Sequence, residues 1–387
     1  MRDVGLRLLD SLCEQMMIDD EWILRRERGF TWWAYRLAQH FEVGPPAWSE
    51  DRYICTVRIW TEVVRGVDPS TDPASVLAAV NPFAQLNALV WDPADATIIE
   101  CCTATVHDEI FTWLSKVLST AAVLQNTAAH SRAKMLASAT GGTAAASNHP
   151  KAAGMRLEMD GLLNVPEQVI APQGARPSQF VGAHFQHVEG FMRQMQLFGN
   201  ADSEGLTCEV PFSGRTPSIA LQESAEPETS LIQMFTDAPN PDAGNGLLCI
   251  MRLPCNAEPR QIAAQANRLN LIESRGNTGT LLLGAWCPDP SSDTTLAFCA
   301  FVPNALAQWV AVENLISYMS THSQLAAKCL DEPAASAIAK PSMEDAVEQL
   351  RDSAKLAARA SSQIAASLAK QGIANLRRRL NERRQGD

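Results

Sequence analysis

Two stretches of this chain set out the same parts in the same order. "ALVWDPADATIIECCTATVHDEIFTWL", Ala88 to Leu114, and "LLLGAWCPDPSSDTTLAFCAFVPNALAQWV", Leu281 to Val310, each carry an apolar run into a Trp, Trp91 or Trp286. A Pro/Asp turn follows with Pro93 or Pro288, then a second strand-like run containing Cys, then a helix start with Trp113 or Trp309. Identity between the two is low, so the shared feature is an order of physical elements. A chain that repeats such an order is most simply built as one architecture used twice. At 387 residues it is also longer than a single hydrophobic core usually grows.

The residues around these stretches extend the pattern. Val4, Leu8, Leu9, Leu12 and Met16 recur at helical spacing and predict a first helix over Asp3–Met17. Three strand-like runs follow: "EWILRRERG", "FTWWAYRLAQHFEV" and "RYICTVRIWTEVV". In the last, Tyr53, Cys55, Val57 and Ile59 alternate with Arg52, Thr56 and Arg58, as a half-buried strand requires. Asp72 and Pro73 mark a helix start, with Val76, Leu77, Val80 and Phe83 on its apolar stripe. In the second half, "FVGAHFQHVEGFMRQMQLFG" predicts a helix, and "LTCEVPF", "SIALQ", "SLIQMFTD" and "GLLCIMRLP" predict four strands, one more than in the first half. A helix opens at Asn256–Pro259, the strand pair "GTLLLGAW" and "TTLAFCAFV" comes next, and Asn304 is placed as the cap of a last helix.

The expected fold class is therefore α+β: two tandem antiparallel-sheet domains, each in helix-βββ-helix-ββ-helix order, over residues 1–137 and 180–330. Small polar residues in "SATGGTAAASNHPKAAG" suggest a flexible linker over 138–179. The remainder, 342–385, reads as a helical tail. It has a Ser-x-x-Asp start at Ser342 and an Ala-rich coiled-coil-like seam through Val347, Leu350, Ala354, Ala357, Ile364 and Leu368.

Charge and chemistry narrow the function classes. A net charge of −11 argues against general nucleic-acid binding. The start of the chain has no signal-peptide pattern, and no run is long and apolar enough for a membrane span. Ten cysteines without a spacing framework fit a reducing cytoplasm. No phosphate-binding glycine loop or nucleophile elbow is present. His184 and His187 lie three apart and could share a metal, but with no further ligand at a known spacing they read as ordinary helix histidines; no metal, cofactor or catalytic residue is assigned. Cys101 and Cys102 fall on opposite strand faces and read as core thiols. Candidate partner-binding residues are Trp32 and Trp33, of which one ring must face away from the core, to be covered by a helix or to stand as an anchor for a partner, and the basic Arg377, Arg378 and Arg379 of the tail.

The element order carried by "ASVLAAVNPFAQLNALVWDPADATIIECCTATVHDEIFTWLSKVL" and by "PRQIAAQANRLNLIESRGNTGTLLLGAWCPDPSSDTTLAFCAFVPNALAQWVAVENLISYM" resembles the type III secretion chaperone-like fold. That fold is shared by class I secretion chaperones and YbjN-type proteins. The resemblance implies a non-enzymatic protein that pairs two such units and holds an extended segment of another protein on sheet and helix surfaces. Here both units lie in one chain, so an intramolecular pseudo-dimer is expected, with a homodimer through the tail as a further option. The alternative is a small-molecule or lipid-binding protein, or a catalyst, using an apolar cavity between sheet and helices. An Ala-rich seam buries little area per turn, so the tail needs a surface to be stably helical. Deleting residues 342–387 is expected to change solution mass, partner retention or thermal stability; if none of the three moves, the tail is a solvated appendage.

Overall fold

The computed structural model describes residues 3–49, 52–150, 154–166, 180, 185, 187–202, 205–212, 228–240, 242–276 and 280–331. The tail from Ser342, His184 and the strand expected at "SIALQ" lie outside them.

Helix α1 (Val4–Gln15) starts where the Asp3 carboxylate accepts the backbone N–H groups of Gly5 and Leu6, at 2.8 and 3.3 Å. Four strands follow: β1 (Ile23–Arg26), β2 (Gly29–Trp33), β3 (Ala38–Val43) and, after the short β4 (Ala47–Ser49), the long β5 (Arg52–Arg65). Helix α2 (Pro73–Ala78), the hairpin of β6 (Ala88–Asp92) and β7 (Thr97–Val106), and helix α3 (Phe111–Ala139) complete the unit, and β8 (Thr143–Ala144) adds to β5. The second unit runs α4 (Val188–Gln194), β9 (Gly199–Ala201), β10 (Gly205–Pro211), β11 (Thr229–Asn240), β12 (Gly244–Asn256), α5 (Pro259–Ser274), β13 (Ala285–Asp289), β14 (Ser292–Pro303) and α6 (Val312–Asp331).

Both sheets are antiparallel and their orders correspond strand for strand: β1-β2-β3-β5-β7-β6 in one and β9-β10-β11-β12-β14-β13 in the other. The α+β class and the two sheet units are as expected. The count is not, because the first unit also has four main-sheet strands before its middle helix, with the short β4 paired on β5 besides. "FTWWAYRLAQHFEV" is two strands joined through Ala34–Leu37. That turn contains no Gly, Pro, Asn or Asp. Its backbone groups are satisfied from far along the chain: Leu37 N–H donates to His130 Nε2 at 3.2 Å, and Ala34 and Arg36 carbonyls accept from Asp160 and Ser147.

Those last bonds come from the described part of 138–179, the stretch that the sequence suggests is a flexible linker. There α3 runs on to Ala139 and β8 pairs with β5. Leu163 is buried, and its carbonyl accepts from Thr127. The small residues suit close packing along a sheet rather than free motion. Two helix readings shift as well: α2 stops at Ala78 ahead of a one-turn helix, Asn81–Phe83, and Asn304 belongs to another one-turn helix while α6 begins at Val312. On β5, Cys55, Val57 and Ile59 are buried as expected, but Tyr53 is 52% exposed.

The two units meet through equivalent parts. Helix α2 packs on α5, and β6 lies near β13. Thr103 and Leu282 exchange backbone hydrogen bonds at 3.2 and 2.9 Å, and Phe301 N–H donates to the Gln85 carbonyl at 3.0 Å. Registers show the correspondence: Ala88 faces Cys101, Ala285 faces Cys299, and Gln85 and Leu282 each lie three residues before those alanines. Thr103 and Phe301 each lie two residues past those cysteines. One buried cluster runs through both units, from Leu8 and Trp32 to Trp286 and Phe298. Strand β7 is buried on both faces, by α3 on one side and by α5 of the other unit on the other, so Cys101 and Cys102 are both fully buried. Among the described residues no helix is long and apolar enough to cross a membrane.

An edge strand leaves backbone groups unpaired. Here side-chain amides pair them. Asn81 binds the N–H and C=O of Leu89 on β6, both at 3.0 Å, and Asn270 binds those of Trp286 on β13, both at 2.8 Å. Asn267 of α5 crosses the junction to bind both backbone groups of Trp91, at 2.9 and 3.0 Å. Replacing Asn81 or Asn270 by Ala strands two buried backbone groups, and each is expected to cost about 1–3 kcal/mol in chemical denaturation. A change below about 0.5 kcal/mol, as for an ordinary surface position, would count against this account.

Candidate functional site

The two middle helices start alike: each has Pro in its first turn, Pro73 in α2 and Pro259 in α5. Asp72, before Pro73, has a positive φ of 54°, which turns the chain sharply out of the preceding one-turn helix. Where the helices lie side by side, a cleft of about 550 Å³ opens between the units. From α2 and the turn after it come Ala78, Ala79, Pro82 and Phe83; from α5 come Pro259, Arg260 and Ala263. The β13–β14 turn supplies Pro288, Asp289, Pro290 and Asp293.

This surface is pre-formed. Arg260 Nε lies 2.9 Å from Asp72 Oδ2, a solvent-exposed ion pair between the two helix starts. Arg252 holds Asp289 and also bonds Gln233. Ser291 donates to Asp289 through its backbone N–H at 3.1 Å and its hydroxyl at 3.0 Å. Burial acts to raise the Asp289 carboxyl, but the hydrogen bonds from Arg252 and Ser291 outweigh it and hold it below the usual carboxylate range. Four prolines and three alanines give a rigid apolar wall that costs little side-chain entropy to cover. Phe83 stands 58% exposed in that wall.

The sequence reading put Phe83 on the buried stripe of a longer helix. The Asn81–Pro82 pair ends that helical phase, which is what turns Phe83 outward. An Asn-Pro break inside an apolar-periodic run is the local signal that marks it.

Trp32 and Trp33 are both buried, so neither ring is an open anchor. Trp32 enters the main core. Trp33 is covered by the segment after α3: its Nε1 donates to Ser147 Oγ at 3.1 Å, and its ring meets His149 edge-on at 4.7 Å. Arg156 beneath it donates to the Trp33 carbonyl at 3.0 Å and pairs with Asp160. Arg377, Arg378 and Arg379 lie outside the described residues. His187 is exposed just before α4, and among the described residues no group of three or more His, Cys, Asp and Glu could hold a metal.

Two further polar clusters have no sequence signature. On the outer face of the first sheet, His40 stacks on Trp60 at 4.1 Å, with Thr31 Oγ1 2.9 Å from its Nδ1. Burial, then Arg26 and Arg58, push His40 down to about 4, so its ring is neutral at physiological pH. A hollow of about 170 Å³ beside it is lined by Glu62, Arg65 and Ala145. In the second unit, Glu273 and His322 are fully buried, with Nδ1 2.8 Å from Oε1 at ion-pair distance but without hydrogen-bond alignment. Trp286 Nε1 and Thr280 Oγ1 each donate to the Glu273 carboxylate at 2.9 Å, and Phe298 stacks on His322 at 4.0 Å. This dyad is packed on every side and joins α5, β13 and α6.

No family model, curated protein or solved structure matches the chain. The structural role of Trp33 has its own test. Trp33→Ala is expected to cost about 3–5 kcal/mol in chemical denaturation, as for large core aromatics. A loss of partner capture at unchanged stability would instead mark the ring as a contact.

Proposed function

We propose that this protein is a non-enzymatic, protein-binding adaptor of secretion-chaperone-like or YbjN-like kind, a covalent pseudo-dimer that holds an extended segment of a partner protein between its units. The observation that carries the reading is the cleft at the α2–α5 contact. It combines a rigid apolar wall, the exposed Phe83 and the exposed carboxylate of Asp293 in a junction built from equivalent parts. Extended segments bind such surfaces by burying alternate apolar side chains, with charge setting their direction. A reducing, cytoplasmic setting fits the cysteines: all are free, and all but Cys255 and Cys329 are buried. Burial, the largest influence on each, raises Cys13 and Cys55 to about 11 and Cys101 to about 12, which keeps those thiols protonated and inert. A small-molecule site is the weaker reading, since the cleft of about 550 Å³ is walled mainly by prolines and alanines and offers a bound molecule few free polar groups.

The test is capture from native lysate with the wild-type chain and with Phe83→Asp. Phe83 is exposed, so its replacement should leave thermal stability within a degree or two while reducing partner recovery at least tenfold. Equal recovery by the two proteins would remove the cleft from the function.

A further inference from the structure

The junction contains a carboxylate that its surroundings do not satisfy. Glu100 of β7 is fully buried, and neither of its oxygens has a hydrogen-bond partner. Its sheet neighbours are Thr61 on β5 and Leu89 on β6, both uncharged. The thiols of Cys101 and Cys102, next along its own strand, are held protonated by burial. From α3 it faces Arg132, whose Nη1 lies 3.6 Å from Glu100 Oε1. The same guanidinium reaches the second unit, where Nη2 donates to Asp242 Oδ2 at 2.9 Å.

Asp242 sits in the turn between β11 and β12, and that turn is docked on the first unit. Asn240 Nδ2 donates to the Phe83 carbonyl at 3.4 Å and its Oδ1 accepts from Gln85 at 3.5 Å. The Asn240 side chain also accepts the N–H groups of Asp242 and Ala243, at 3.0 and 3.1 Å. Ala243 is buried in a cluster with Leu124 of α3 and Phe301. One arginine is thus shared between carboxylates of different units, at a turn whose next contact is a wall residue of the cleft.

We propose that Glu100, Arg132 and Asp242 form a proton-controlled clasp between the units. With Glu100 neutral, Arg132 belongs to Asp242 and holds the β11–β12 turn against α3. When Glu100 loses its proton, Arg132 is divided between two carboxylates, a net negative charge is left in the junction, and the turn loosens. Burial raises Glu100 from 4.5 to about 7, with Arg132 opposing and Asp242 adding to the rise. The closed junction therefore keeps a proton that the opened one releases. Its advantage is complete below pH 4.5, declines as pH rises, and is gone above about 7. The clasp stands independently of what the cleft binds.

Hydrogen exchange of the Asp242 and Ala243 amides, corrected for the intrinsic base-catalysed rate, reads the clasp directly. In the wild-type chain their opening equilibrium should grow on the order of a hundredfold between about pH 5 and about pH 8, while amides of α1 stay level. In Glu100→Gln, which keeps the shape without the charge, the rise should vanish. A rise of equal slope in wild type and Glu100→Gln, or one shared by α1, overturns the proposal. Should Glu100→Gln fail to fold, Asp242→Asn decides. Removing that carboxylate frees Arg132 for Glu100, so the midpoint of the rise must move to lower pH, and an unmoved midpoint overturns the clasp.

Discussion

The structure depends on how two sheet edges are closed. Strands β6 and β13 end their sheets, and each would present unpaired N–H and C=O groups to whatever lies beside it. Side-chain amides from Asn81, Asn270 and Asn267 occupy the groups of Leu89, Trp286 and Trp91 in bidentate fashion. With the edges satisfied, the two hairpins can sit at the centre of the molecule. The long buried run of β7 follows, because it now has a helix on each face, one from each unit. So does the single continuous core: the packing that covers one sheet is supplied partly by the other half of the chain.

Much of this was legible in the sequence, for identifiable reasons. The alternation of Cys55, Val57 and Ile59 against Thr56 and Arg58 is a period-two signal, and it marks β5. The order of apolar run, Pro/Asp turn, second run and helix survives in both halves, and the matched sheet orders bear it out. What was not legible is long-range. The turn at Ala34–Leu37 lacks turn residues because His130, Ser147 and Asp160 stabilise it from outside. The docking of residues after α3 was hidden by small, polar composition, which looks the same in a loose linker and in a segment packed close to a sheet.

The candidate site was missed for a related reason. Residues were sorted by helical phase, which placed Phe83 inside; one Asn-Pro pair resets that phase and puts it at the surface. Glu100 and His322 were invisible because nothing in their neighbouring residues signals a buried polar group. Glu100 sits in an apolar strand, and Arg132 reaches it across the space between sheet and helix. Trp32 and Trp33 show the converse. Adjacent strand residues do face opposite ways, but a second layer covers the outward ring.

The two middle helices are not equal partners: α2 spans 6 residues and α5 spans 16. A dimer of identical chains would carry every junction feature in duplicate. Here the short helix leaves room that the long one fills on the opposite side, where Asn267 reaches across to Trp91. The wall of prolines and the carboxylates thus belong to one mouth with distinguishable ends. A substitution in either half can therefore reshape this mouth without being copied into the other.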